Sequence, residues 1–228
     1  VIELEPQAII EMPLETLALA VLKDYASSHQ WNKENWFNDA ARAKGNGPHM
    51  QVLAEGWAWL ESRALVAPNP SQTSPGSRFV TRAGKQVLDR YSLSEVLAAE
   101  RIGLDLHRRL EGKIRPIFLL GDYETAAFKA MKEVEVRVRE LASLPADLVG
   151  VKLMRKAFHP EDGLLTDQSH EGGERQARME LFAGAIGSFK NPASHRTVKY
   201  DDPTEASEVV LVADLLMRIL DSVEATLT

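Results

Sequence analysis

A chain of 228 residues, 44% apolar and 26% charged, suits two small domains or one large one, and its balance is that of a globular protein. The absence of cysteine removes disulfides, thiolate-bound zinc, iron–sulfur clusters and thiol catalysis, and no apolar run approaches the roughly 18 residues of a membrane span. With 33 acidic against 27 basic residues, the net charge of −6 argues against nucleic-acid binding driven by bulk charge, although it leaves room for a local basic groove.

The opening Val1-Ile2-Glu3-Leu4-Glu5-Pro6 lacks the basic and apolar regions of a secretory signal, so a cytoplasmic protein is expected. It starts without Met, which leaves room for residues upstream. Leu14, Leu17, Ala18, Val21, Leu22 and Tyr25 recur at helical spacing and predict a helix over 14–27, with Pro13 at its entrance. Asn32 is placed to cap a second helix bearing Trp36, Phe37, Ala40 and Ala41, which the turn Gly45-Asn46-Gly47-Pro48 ends. Met50, Leu53, Ala54, Trp57 and Leu60 mark one face of a third. Next, Leu65-Val66-Ala67, a polar tip over 68–77 and Arg78-Phe79-Val80-Thr81 read as a hairpin. Thr81 then caps a helix over 82–91.

Three helices followed by a hairpin is the order of a winged helix-turn-helix. The run Ala54-x-x-Trp57-x-x-Leu60-x-x-x-x-Leu65-Val66 with Phe79-Val80-Thr81-Arg82-Ala83-Gly84 resembles such domains, and this domain is assigned to residues 1–92. The resemblance implies a third helix in the DNA major groove and a wing on phosphate, which makes Arg63, Arg78 and Arg82 the nucleic-acid-binding candidates. Glu55 and Glu61 on the third helix oppose that use, so a dimerising or scaffolding wing is favoured over DNA binding.

Residues 93–228 read as a second, helical domain, a bundle built on two antiparallel hairpins. Helices are predicted over 94–111, 123–144, 148–158, 174–189 and 203–227, with a polar, glycine-rich loop over 160–173. The fold class is therefore mainly α. In the loop, His159 and His170 stand near Glu161, Asp162, Glu171 and Glu174, a weak divalent-ion cluster. None of the six histidines has the spacing that sets two ligands on one helical face, so a solvated loop without metal is expected. On the helix over 123–144, Phe128, Met131, Glu135, Val138 and Ala142 share a stripe, which puts the Glu135 carboxylate beside the core. A charge there requires a partner from Arg139, Arg196 or the Lys190 region, and a structural salt bridge is the favoured role. Arg137 and Arg139 are further candidates for phosphate contact.

Small residues at 183, 184, 185, 187 and 188 predict a tightly packed helix running into Lys190-Asn191-Pro192-Ala193-Ser194-His195-Arg196. Pro192 lacks a backbone donor and predicts a bend or helix end. An ammonium, an amide, an imidazole and a guanidinium then gather at the break. The pattern Ala-x-Gly-x-Phe-Lys-Asn-Pro-x-x-His, with Gly184, Phe189 and Pro192 inside a helical bundle, resembles the Ymh-type branch of the HEPN superfamily over about residues 94–228. That resemblance implies an all-helical domain behind a winged helix, and a homodimer whose paired motifs face each other. It also implies metal-independent ribonuclease activity without a cofactor, RNA as substrate, and a toxin or phage-defence setting.

In that family's motif His195 and Asn191 match, whereas Lys190 stands where arginine is usual. Histidine titrates near neutrality and suits proton transfer, a cation at 190 suits developing phosphate charge, and Asn191 suits orienting the imidazole or holding a phosphate oxygen. Lysine is a point charge rather than a two-pronged donor, which makes Arg196 a candidate to compensate. Supporting roles fall to Arg196, Glu135 and Arg139. The alternative is a non-catalytic dimeric DNA-binding regulator or interaction module that uses the winged helix.

Overall fold

The computed structural model describes residues 3–90, 92–103, 105–195 and 198–227, without the side chains of Ser194, His195 and Leu227. Arg196, the His195 side chain and Tyr91 at the end of the helix predicted over 82–91 thus lie outside the described residues. The chain is mainly helical, with one two-stranded sheet among the described residues, and it divides into two compact units, Val1–Leu93 and Ser94–Thr228.

In the first unit α1 (Pro6–Glu11) precedes α2 (Leu14–Ser27), α3 (Lys33–Lys44) and α4 (Pro48–Ser62). The sequence reading has no counterpart for α1, whose six residues are too few to show a period; Pro6 in its first turn is its local signal. Asn32 Oδ1 accepts the Asn35 amide at 3.2 Å and caps α3, and Gly45 ends that helix at φ 77°. α2 packs on α4, burying Leu17, Val21 and Leu22 on one and Leu53, Trp57 and Leu60 on the other. Tyr25 and Trp36 meet the Trp57 ring edge-on, at centroid distances of 4.8 and 5.7 Å, a favourable arrangement of ring quadrupoles. Trp36 Nε1 donates to Asp24 at 2.7 Å, which satisfies its one polar atom.

β1 (Val66–Pro68) pairs antiparallel with β2 (Arg78–Val80), Val66 opposite Val80. Thr81 Oγ1 donates to the Ala64 carbonyl at 2.7 Å and accepts the Gly84 amide at 3.1 Å, which starts α5 (Arg82–Arg90) against the strand. Gly84 is required by that close approach: a Cβ there would lie 2.2 Å from the Leu65 carbonyl oxygen.

The second unit contains α6 (Ser94–Arg101), α7 (Arg108–Leu119), α8 (Tyr123–Leu141), α9 (Gly150–Ala157) and α10 (Gly172–Ala185). A π turn (Ile186–Lys190), α11 (Asn191–His195) and α12 (Pro203–Leu227) come after them. α8 packs against α7, α9 and α12, so the core runs along it through Ala126, Ala130, Met131, Val134 and Val138. Phe158, at the end of α9, stacks on Phe182 of α10 at 4.3 Å.

Two expectations need correction. The helix predicted over 94–111 is two helices. Asp105, at φ 62°, turns the chain after α6. His107 then restarts it: Nδ1 accepts the Arg109 amide at 3.2 Å, and its own amide donates to the Asp214 carboxylate at 2.5 Å. A capping partner 107 residues away leaves no local trace.

Pro192, for its part, does not end the helix. Just before it the Asn191 amide donates to the Ile186 carbonyl, five residues back, and helix continues as α11. In α register the proline ring would meet the carbonyl four residues earlier; widening the turn moves that carbonyl. The small residues also divide. Ala183 and Ala185 are buried as expected, but nothing lies within 4 Å of where a Cβ of Gly184 would be.

Candidate functional site at the start of α9

Glu135 sits on the core-facing stripe of α8 and is 4% exposed. A carboxylate so placed is tolerated only when fully paired. Arg139, one turn on, reaches Oε1 at 3.1 Å. Lys190 Nζ lies 3.2 Å from Oε2, and the Gly150 amide donates to the same oxygen at 2.9 Å. Gly150 opens α9, so Glu135 places negative charge at the positive end of that helix.

The surrounding chain holds this arrangement in place. Arg139 is anchored by Nε and Nη2 on the Leu148 carbonyl, at 3.3 and 3.2 Å. Gly150 adopts φ 62°, a backbone state that disfavours side chains, and Asn191 Oδ1 would lie 3.3 Å from a Cβ there. Asn191 thus lies over the first residue of α9. Gly187 approaches the same helix, 3.3 Å separating its would-be Cβ from Val151 Cγ2. The π turn and α11 therefore rest on the first turn of α9.

Of the predicted site residues, Lys190, Asn191, Glu135 and Arg139 come together. The backbone of His195 ends α11, one turn beyond Asn191. Two cations share one carboxylate here, and the three groups keep a net positive charge beside a helix N-terminus. The Lys190 side chain is only 14% exposed. Among the described residues, the ion pairs that Glu135 forms are those with Arg139 and Lys190. Sequence reasoning missed the Gly150 amide and the Leu148 carbonyl, because backbone groups carry no side-chain signature.

Arg137 belongs elsewhere. It is 7% exposed, ion-pairs with Glu224 and lies 4.0 Å from Asp221 Oδ1. Asp221 Oδ2 is 3.0 Å from His107 Nε2. Because His107 Nδ1 is an acceptor, the proton sits on Nε2 and is donated to Asp221. This second cluster fastens α7 and α8 to α12, with Arg137 paired to carboxylates of α12.

In the first unit, Arg78 Nε holds Glu61 at 2.7 Å, and its Nη1 holds the Pro75 and Ser77 carbonyls at 2.8 and 3.0 Å. Lys33 reaches the same carboxylate at 2.9 Å. Partial burial pushes the Glu61 carboxyl up, but the hydrogen bonds and charges of Lys33 and Arg78 outweigh it and hold the group below the usual carboxylate range. The Arg63 guanidinium lies 3.9 Å over the Trp59 ring. Arg82 is exposed on the first turn of α5. The exposed positions of α4 beyond its first turn are Gln51, Ala54, Glu55, Ala58 and Ser62, a face without a cation.

In the loop before α10, His159 Nδ1 lies 2.7 Å from Asp162, and His170 lies 3.8 Å from Asp167 and 4.0 Å from Glu174. No group of three or more ligating side chains able to hold a metal forms among the described residues, and no helix among them is long and apolar enough to cross a membrane.

These features define a helical-bundle protein with a buried ion cluster at the junction of three helical segments. The profile of the Hypoth_Ymh family, described as proteins of unknown function, matches residues 104–220, more than half of the chain, and the chain belongs to that family. No curated protein and no solved structure matches it.

Proposed function

We propose that this chain is a metal-independent endoribonuclease of the HEPN type, active as a homodimer, with its first unit serving as a winged helix that locates or joins the protomers. The convergence of Lys190 and Arg139 on Glu135, with Asn191 over the start of α9 and His195 one turn further, carries the reading. Net positive charge beside helix amides is the environment a phosphate and its pentavalent transition state favour. Two facing copies supply two histidines. One takes the proton from the ribose 2′-hydroxyl as O2′ attacks phosphorus. The other protonates the departing O5′, leaving a 2′,3′-cyclic phosphate and a 5′-hydroxyl. Support for close pairing comes from α10 and the π turn after it, where Ala177, Leu181, Gly184 and Ser188 are exposed, three small residues around one leucine. A toxin or phage-defence setting and a cytoplasmic location rest on the likeness to the superfamily and on composition.

The deciding experiment is cleavage of mixed cellular RNA in EDTA by wild type and His195→Ala. Cutting by wild type alone, with cyclic-phosphate ends, is expected. If neither protein cuts as a confirmed dimer, the ribonuclease reading fails, and duplex DNA binding through exposed Arg82 becomes the next measurement.

A further inference from the structure

α9 presents a basic outer face in a chain of net charge −6. Its eight residues, Gly150 to Ala157, contain Lys152, Arg155 and Lys156 and no carboxylate. Leu153, Met154 and Ala157 point into the core, while Lys152, Arg155 and Lys156 are turned outward, and His159 continues the row. Asp162 answers the far end of this row, lying 3.2 Å from Lys156 and 2.7 Å from His159. Lys152 and Arg155 have no acidic partner among the described residues. They stand three residues apart and hence on one side of the helix.

Helix stability accounts for Arg155 and Lys156, since cations in a last turn complement the macrodipole. It does not account for Lys152. That residue is in the first turn, where the positive helix end disfavours a cation, and the turn contains no acidic residue. Lys152 is thus an outward-facing cation that the helix dipole does not explain. This same turn is the one on which Gly187 and Asn191 rest.

We propose that Lys152 and Arg155 bind the phosphate backbone of single-stranded RNA and lead the strand to the Lys190–Asn191 segment. The identity of the strand rests on the ribonuclease reading. The row binds by charge, without base readout, and its contribution is salt-dependent.

The test measures binding of a labelled single-stranded RNA across a salt series, in full-length His195→Ala protein so that the strand stays intact. Compared are that parent, the parent carrying Lys152→Ala and Arg155→Ala, and a charge-matched control carrying Lys23→Ala and Lys44→Ala in the first unit. Circular dichroism confirms that each is folded, and alanine at 152 and 155 suits a helix. Neutralising two phosphate contacts should weaken binding about tenfold at low salt and lower the slope of log K against log salt by about 1.4, at roughly 0.7 per contact on a single strand. The control should match the parent. Equal binding by parent and α9 variant overturns the inference, as does an equal loss in the control. Tighter binding of a DNA duplex through the same two residues overturns the choice of RNA. RNA binding that depends on α9, from a wild type that never cuts, leaves this inference standing and removes the catalytic reading alone.

Discussion

Neutralising Glu135 and neutralising Lys190 should have unequal consequences. Glu135→Gln leaves two cations facing a buried position without their anion, and breaking a buried pair in this way costs about 3–5 kcal/mol. Lys190→Met leaves the carboxylate on Arg139 and the Gly150 amide, so the expected loss is about 1.5–3 kcal/mol, the scale of one charged hydrogen bond. Urea unfolding of both variants measures the difference. RNA cleavage by the folded Lys190→Met protein should be abolished. Undiminished cleavage there would make Lys190 a structural counter-ion and nothing more. Arg139 shares the same carboxylate but is fastened to the Leu148 carbonyl, which fits a positioning role.

Among the elements, the hairpin of the first unit gives a prediction with a definite sign. Glu61 ties the end of α4 to Arg78 on β2 and to Lys33 on α3, and its carboxyl is held below the usual range. A depressed carboxylate contributes stability that is present above its ordinary pKa and lost as pH falls through the lowered one. The stability gap between wild type and Glu61→Gln should therefore be open at pH 6 and close toward pH 3, by unfolding at each pH. A gap that persists at acid pH would mean the carboxylate's charge is not what holds the hairpin.

Elements of this kind were legible where the signal is local. Asn32 and Thr81 sit at their caps, and the two strands pair where the alternation and the polar tip place them. The break between α6 and α7 was not, because it is made by Asp214 on α12. The wide turn before Pro192 was hidden for another reason: a proline announces that the α pattern fails but not which of several solutions the chain adopts. Glu135 could be placed beside the core from its stripe, yet the Gly150 amide that meets it depends on how α8 and α9 are packed.

At the level of the whole molecule, the second unit carries the family match and its own core, and the proposed activity requires two copies of it. Leu181, 44% exposed on the small-residue face of α10, is the side chain to charge. Leu181→Asp should shift sedimentation from dimer to monomer while the far-ultraviolet spectrum stays helical, and cleavage should fall with the dimer. A monomeric variant that still cuts would show that one copy is enough, against the two-histidine scheme.

The π turn over Ile186–Lys190 has a consequence at every one of these scales. A helix advances by about 100° per residue, so one surplus residue stored in a turn decouples the angular phase of the later residues from that of the earlier ones. Phe182 and Ile186 keep their inward phase whatever that turn does, while the direction of Lys190 and of its successors is set separately. Gaining or losing one residue there would leave the bundle intact and swing Lys190 about a quarter of a turn from Glu135. Chain length at this one place, as much as the identity of any side chain, therefore sets whether Lys190 meets Glu135.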